Sequence, residues 1–333
     1  MLNPQSKLNP KIFDKDVEQV PIRKGFGEGL LKAAELDKNI VGLCSDLTES
    51  THMQAFKNSY PTRFVEIGIA EQNMAAVASG MAAMGKIPFI TSYAMFSPGR
   101  NWEQIRTTIC YNDRPVKIAG SHAGVSVGPD GGTHQAIEDI AITRVIPRMI
   151  VISPCDAIEA RKATLACART QAPTYIRLAR EKTPIITTED TPFEIGKATI
   201  LTSYDKKTKI SAAIIATGAL VHRALKVARD LEAKGINVHV VNLSTIKPLD
   251  EATIIKVAGE AGAIVTVEEH QIAGGMGSAV AECLAAHKPV PIEFVGVRDQ
   301  FGQSGTPDEL IKFYGMDETA ILAAVNRVLV RKM

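Results

Sequence analysis

Short apolar runs alternate with longer stretches of helical periodicity along most of this chain. Residues 40–44, 64–67, 88–91, 116–119, 149–152 and 174–178 each form a compact apolar run, and helical patterns fill most of the gaps between them. Such runs, apolar on both faces, are expected of strands in a parallel sheet covered by helices on each side. The pattern fails between Arg180 and Gly196, where Lys182-Thr183-Pro184 and Thr187-Thr188-Glu189-Asp190-Thr191-Pro192 read as extended, proline-stiffened linker. A second alternation follows, with strands predicted at 212–216, 236–241, 263–267 and 292–295 and a helix over 220–234. The fold class expected is α/β, with two doubly wound domains and mainly parallel sheets. The boundaries read as an N-terminal extension over 1–20, a first domain over 21–182, a linker over 183–196 and a second domain over 197–333.

Composition narrows the class. With 333 residues, 45% hydrophobic and 22% charged, the chain can bury two cores of ordinary size. A net charge of +2, with the basic residues dispersed, argues against nucleic acid as a partner. The five cysteines form no C-x-x-C pair and suit a reducing compartment as small core residues. The first residues lack a signal-peptide pattern, and no apolar run is long enough to span a membrane, so a cytoplasmic protein without a membrane partner is expected.

Four stretches carry more chemistry than packing requires. In Ile67-Gly68-Ile69-Ala70-Glu71-Gln72-Asn73-Met74, a glycine-hinged strand end runs into a helix with no charge from Met74 to Gly85. Such a helix is expected to be covered on every side, which places Glu71 at the mouth of a buried apolar site where a ligand nitrogen could share its proton. The plain alternative is a glutamate favoured in a helix first turn. The glycine-rich loop from Ser121 to Gln135 holds His122, Asp130 and His134, suited to proton exchange with sugar hydroxyls, although Pro129-Asp130-Gly131-Gly132 also fits a simple turn. The same three residues would give a metal site without an evident fourth ligand. Tyr93 and Phe96 follow a predicted strand, as walls for a flat ring or as core filling. Arg23, Arg177 and Arg180 lie near element ends, where a guanidinium can grip phosphate or simply be solvated.

Nucleotide motifs fail on spacing: Gly25-Phe26-Gly27-Glu28-Gly29 falls in a predicted helix, and no G-x-x-x-x-G-K-[ST] occurs. Gly274-Gly275-Met276-Gly277 precedes a helix and suits either an anion or a close helix–strand contact.

Three segments together carry a family resemblance: Gly68-Ile69-Ala70-Glu71-Gln72-Asn73-Met74, Asp130-Gly131-Gly132-Thr133-His134-Gln135 and Phe301-Gly302-Gln303-Ser304-Gly305. From about Arg23 onward the chain resembles transketolase, over that family's pyrimidine-binding and C-terminal domains in the same order. The family's diphosphate-binding domain carries a Gly-Asp-Gly motif, which this sequence lacks. The resemblance therefore implies the C-terminal subunit of a split transketolase, inactive alone, which works with an N-terminal subunit in an α2β2 heterotetramer. That partner would hold the diphosphate and Mg2+ of thiamin diphosphate. Carried over residue by residue, Glu71 is the glutamate at N1′ of the cofactor's aminopyrimidine, and Tyr93 and Phe96 wall that ring. Ser97-Pro98-Gly99 stands where another aromatic is common. Asp130 and His134 would contact the sugar hydroxyls, with His134 assisting proton transfer, and Arg23, Ser50, His122 and Arg180 would grip the phosphate of a sugar phosphate. The 301–306 loop resembles the family's structural, dimer-forming part. The rivals are the β subunit of a 2-oxo acid dehydrogenase and a non-catalytic scaffold subunit.

Overall fold

The structure, a computed structural model, describes residues 1–332. All ten apolar runs form strands, most shifted by one or two residues from the predicted ends. The first sheet has seven strands, in the order Thr245–Lys247, Ile150–Ile152, Thr174–Arg177, Lys117–Ser121, Ile87–Tyr93, Ile40–Cys44 and Phe64–Glu66. Six of these pair in parallel, and Thr245–Lys247 closes one edge antiparallel to Ile150–Ile152. The second sheet orders Ile292–Val297, Ile264–Gln271, Ala212–Ala216, Val238–Asn242 and Thr199–Ile200, parallel except for that last short edge strand. Both halves are thus doubly wound α/β units with mainly parallel sheets.

Helix packing explains the glycines that imitate a nucleotide motif. Helix Ile22–Leu36 lies against helix Ala157–Ala168, and a Cβ on Gly25 would stand 1.8 Å from the Ala157 carbonyl oxygen. These glycines let two backbones touch, which no larger residue permits.

The two halves share apolar core. Ile118, Met149 and Val151 of the first sheet belong to one buried cluster with Ile215, Val241 and Ile246 from the second half. Strand Thr245–Lys247, although it belongs to the second half in sequence, adds its edge to the first sheet. The N-terminal segment packs onto the second half as well: Ile12 is buried in its core, and the Asn3 amide donates to the Leu201 carbonyl at 2.9 Å.

Two stretches differ from the sequence reading. Lys182–Pro184, read as linker, is a strand paired antiparallel with Gln19–Pro21. The linker that follows is pinned rather than loose, since the Asp156 carboxylate accepts from the Ile186 and Thr187 amides at 2.8 and 2.6 Å. Strands this short draw their stability from a partner distant in sequence, so local pattern does not reveal them. Among the described residues no helix is long and apolar enough to cross a membrane.

Candidate active site

The candidate residues gather beyond the carboxyl ends of the first sheet's strands, where parallel sheets place ligands. After strand Phe64–Glu66 the chain turns at Gly68, whose φ of +76° suits glycine, and enters helix Glu71–Ala83. Glu71 is the first helical residue and is 1% exposed. Its Oε1 accepts from the Ser92 hydroxyl at 3.2 Å, and its Oε2 accepts from the Arg100 guanidinium at 2.8 Å. The Asn101 amide donates to the Glu71 main-chain carbonyl at 3.1 Å. The carboxylate thus receives no backbone N–H from the structure around it.

The helix behind Glu71 departs from expectation on one side. Met74, Ala75, Ala78 and Ala82 are buried, but Ala76, Gly80 and Ala83 lie exposed within this chain. Ile69 and Met84, at the two ends of the helix, are 74% and 83% exposed. The sequence correctly marked the helix as uncharged, yet the single chain covers only part of its circumference.

Rings stand beside the carboxylate. Tyr93 and Phe96 lie nearly parallel, with centroids 6.2 Å apart, and the Arg100 guanidinium rests 4.8 Å above the Phe96 ring. Tyr93 also stacks on His122 at 3.8 Å, and His134 meets the Phe96 edge at 5.4 Å. His122 holds a φ of +56°, uncommon for a residue with a side chain, and its Nδ1 lies 2.9 Å from the Ser121 hydroxyl. Its burial, with Arg23, Arg180, His134 and His52 adding positive charge nearby, pushes its pKa down to about 3, so the ring is neutral in ordinary buffers.

Arg23 and Arg180 form the basic side of the site. Arg23 donates to the Arg180 carbonyl at 3.2 Å and to the Ser50 carbonyl, and its pKa is lowered by burial and by the Arg180 charge. It is the main-chain oxygen of Ser50, rather than its hydroxyl, that faces Arg23. Arg180 donates to the Val127 carbonyl at 2.8 Å and pairs with Glu181 at 3.2 Å. Two guanidiniums held this close, beside a neutral imidazole, make a seat for an anion. Asp130 is exposed on its loop, and His134 Nδ1 lies 2.9 Å from the Thr133 hydroxyl.

The loop carrying Asp130 and His134 is braced from the second half of the chain. Glu269 accepts from the Ser126 amide beneath Gly124, whose φ is +90° and where a Cβ would strike Glu269 at 2.3 Å. The Gln135 amide donates to the carbonyls of Val125 at 3.0 Å and Gln303 at 2.9 Å. The 301–305 segment thus touches the site loop itself. Sequence reasoning singled out neither Ser92, Arg100, Asn101 and His52 nor the brace through Gln135 and Glu269. Their roles depend on contacts between segments distant in the chain, and no local pattern marks them.

Two candidates change meaning. Arg177 is buried, with its Nε 2.8 Å from Asp139 Oδ2, and it donates to the Glu269 carbonyl at 2.8 Å. It ties the halves together and is not free to grip a ligand. At Gly274-Gly275-Met276-Gly277 the anion is the chain's own: Glu268 accepts from the Met276 and Gly277 amides at 2.6 and 2.8 Å. Among the described residues no group of three or more His, Cys, Asp or Glu could hold a metal ion. A cleft of about 1000 Å3 opens between the N-terminal segment, the 179–184 stretch and the second half, and none of the candidate residues line it. Its Arg223 is already paired with Asp308 at 2.6 Å and Glu318 at 2.8 Å.

A buried glutamate, flanking aromatic rings and a nearby basic seat, on a doubly wound sheet followed by a second α/β unit, define the architecture of a thiamin-diphosphate pyrimidine-binding half. Residues 18–185 match the pyrimidine-binding domain of transketolase and residues 196–321 the transketolase C-terminal domain, and the chain belongs to the transketolase family. It is 43% identical over 303 residues to a putative transketolase C-terminal section from Methanocaldococcus jannaschii, covering 90% of this chain and 93% of that protein. It is 38% identical over 320 residues to a 6-deoxy-6-sulfo-D-fructose transketolase subunit from Clostridium sp., covering 96% and 98% respectively. A solved structure described as a split gene transketolase, inactive β4 tetramer, is 41% identical and superposes with a TM-score of 0.87, covering 94% of this chain and 100% of that one. The homologues are thus C-terminal sections of split transketolases, a family that generally uses thiamin diphosphate.

Proposed function

We propose that this chain is the C-terminal subunit of a two-chain transketolase, moving a two-carbon ketol unit from a ketose phosphate to an aldose phosphate with thiamin diphosphate and Mg2+. The observation that carries this reading is the Glu71 carboxylate, buried at a helix start beside Tyr93 and Phe96, with no backbone donor of its own. A carboxylate placed so fits a ring nitrogen that brings a proton, and the two aromatic faces fit a flat heterocycle. When bound, thiamin diphosphate supplies the nucleophilic carbon and the electron sink for exchange of the carbon–carbon bond.

The chain's own residues then have separable tasks. Glu71 holds the proton at the pyrimidine N1′, which sets the cofactor's protonation. Tyr93 and Phe96 orient the ring and exclude water from its faces. Arg23 and Arg180 neutralise the anionic end of the sugar, while His122, neutral in this setting, adds a hydrogen bond without a third charge. Ser50 enters through its carbonyl, which orients Arg23. His134, on the braced loop, exchanges a proton with a sugar hydroxyl near the reacting carbons, and Asp130 hydrogen-bonds a neighbouring hydroxyl.

The diphosphate and Mg2+ belong, in this reading, to a separate subunit, which the similarity to a transketolase C-terminal section and to a split gene transketolase supports. The uncharged exposed face of helix Glu71–Ala83, with Ala76, Gly80 and Ala83, supports a subunit contact beside the site. We place the chain in an α2β2 heterotetramer in the cytoplasm. The basic seat fits an anionic sugar, and the similarity to a 6-deoxy-6-sulfo-D-fructose transketolase subunit supports a sugar bearing a phosphate or a sulfonate.

The test is ketol transfer from xylulose 5-phosphate to ribose 5-phosphate by this chain co-expressed with a candidate diphosphate-domain subunit, in the presence of thiamin diphosphate and Mg2+. Transfer by the assembled pair and none by this chain alone is the expected outcome. Failure with these and with sulfonated sugars, together with pyruvate oxidation in the presence of an electron acceptor, would move the protein to 2-oxo acid chemistry.

A further inference from the structure

Arg100 holds a position that the functional reading does not yet use. Its guanidinium donates to Glu71 Oε2 at 2.8 Å and lies 4.8 Å above the Phe96 ring, so one side chain contacts both the carboxylate and an aromatic wall. The segment that delivers it is anchored on either side. Asn101 is fully buried, and its amide donates both to the Glu71 carbonyl and to the Ser97 hydroxyl, each at 3.1 Å. Arg100 itself remains 47% exposed.

Among the described residues Arg100 is the only cation paired with the Glu71 carboxylate. Strand Ile87–Tyr93 contributes the neutral Ser92, the following segment contributes Arg100 and Asn101, and the helix that Glu71 opens carries no ionised side chain from Gln72 to Gly85. A buried carboxylate left without its cation is costly to the structure. An anchored, planar donor also fixes the carboxylate plane, which a mobile ammonium would do less well.

We propose that Arg100 is the positioning residue for Glu71: it supplies the charge that a buried carboxylate requires and sets its orientation, leaving Oε1, held only by the Ser92 hydroxyl, for the cofactor nitrogen. The assignment rests on the reading of Glu71 given under Proposed function. Its physical consequence concerns how the cofactor ring is met. Without Arg100 the carboxylate loses the planar donor that fixes it, and the cofactor ring meets a misoriented acceptor.

The experiment measures the affinity of the assembled two-chain enzyme for thiamin diphosphate in the presence of Mg2+, by calorimetry. The expected result is that Arg100→Met weakens binding about tenfold or more, that adding Arg100→Met to Glu71→Gln weakens it little further, and that Arg100→Lys recovers part of the loss. Transfer by the Arg100→Met assembly should fall about tenfold or more in kcat with the sugar KM unchanged.

Should Arg100→Met fail to assemble, the chain alone still reports. Arg100→Met lowers its melting temperature in the wild-type background and lowers it less in the Glu71→Gln background, where only the contact with Phe96 is left to lose. Affinity for thiamin diphosphate in Arg100→Met equal to wild type, or additive melting shifts, overturns the assignment of Arg100. Absence of thiamin diphosphate binding by the wild-type assembly, or near-normal transfer by Glu71→Gln, overturns the functional reading itself and this assignment with it.

Discussion

Glu71 and Glu268 occupy comparable places in the two halves of the chain. Each lies on the carboxyl-end side of a parallel sheet, each meets the start of a helix, and each is 1% exposed. Their partners differ. Glu268 has both oxygens taken by backbone amides of its own helix start, at 2.6 and 2.8 Å, whereas Glu71 is held by the side chains of Ser92 and Arg100. Backbone donors cannot swing away from the group they satisfy, and side chains can. The same sheet-and-helix architecture therefore yields a closed structural plug in one half and an addressable carboxylate in the other.

Burial also acts on Glu268 more strongly than its two amide donors do, raising its pKa to about 7. His270, likewise buried beside it, is pushed down to about 4. The second half thus has perturbed titrating groups with no opening toward the site, so a perturbed pKa alone does not locate chemistry here.

The sharpest way to separate the two glutamates is to change each. Glu71→Gln in the assembled enzyme should lower transfer by about a thousandfold, the scale of a lost acid–base group, while costing the fold less than about 2 kcal/mol. Activity assays paired with urea melts read both effects, and near-normal transfer would remove Glu71 from the cofactor's chemistry. Glu268→Ala should do the reverse. It leaves two buried amides without acceptors, which costs about 2–4 kcal/mol, yet transfer per folded molecule should hold.

Dependence on pH gives a smaller effect, with opposite signs for Glu268 and His122. Glu268 has a raised pKa, so between its ordinary value of 4.5 and about 7 the folded state binds more proton than the unfolded state. Its contribution to stability therefore falls as pH rises through that window, and Glu268→Gln should remove that fall. His122 has a lowered pKa, and between about 3 and its ordinary 6.5 the unfolded state binds more proton. Its contribution therefore rises with pH to about 6.5 and is lost on acidification, and His122→Asn should flatten that rise in denaturant midpoints measured across the same range.

The elements most readily visible in the sequence were those whose signal is local. Continuous apolar runs marked ten strands, and the uncharged stretch after Glu71 marked a packed helix. The strands Gln19–Pro21, Lys182–Pro184, Thr199–Ile200 and Thr245–Lys247 escaped notice because each is two or three residues long and pairs with a segment far along the chain. At the candidate site, Glu71, Tyr93, Phe96 and His122 could be singled out because they follow strand ends, and the structure brings them together with His134, Arg23 and Arg180. Arg177 looked equivalent to Arg180, only three residues away. Alternation along the strand turns Arg177 inward to Asp139, while Arg180 lies past the strand end.

By itself, then, the sequence determined the alternation that makes two parallel α/β halves, the carboxylate at the mouth of an uncharged helix and the absence of a Gly-Asp-Gly motif. These follow from side-chain polarity and spacing, properties that each short stretch carries alone. Which charges are paired was decided only by tertiary structure: Arg100 on Glu71, Arg177 on Asp139 and the amides at Met276 and Gly277 on Glu268. Pairing depends on separations of a few ångströms between groups 8 to 38 residues apart, and the energy of a buried charge changes steeply over that distance.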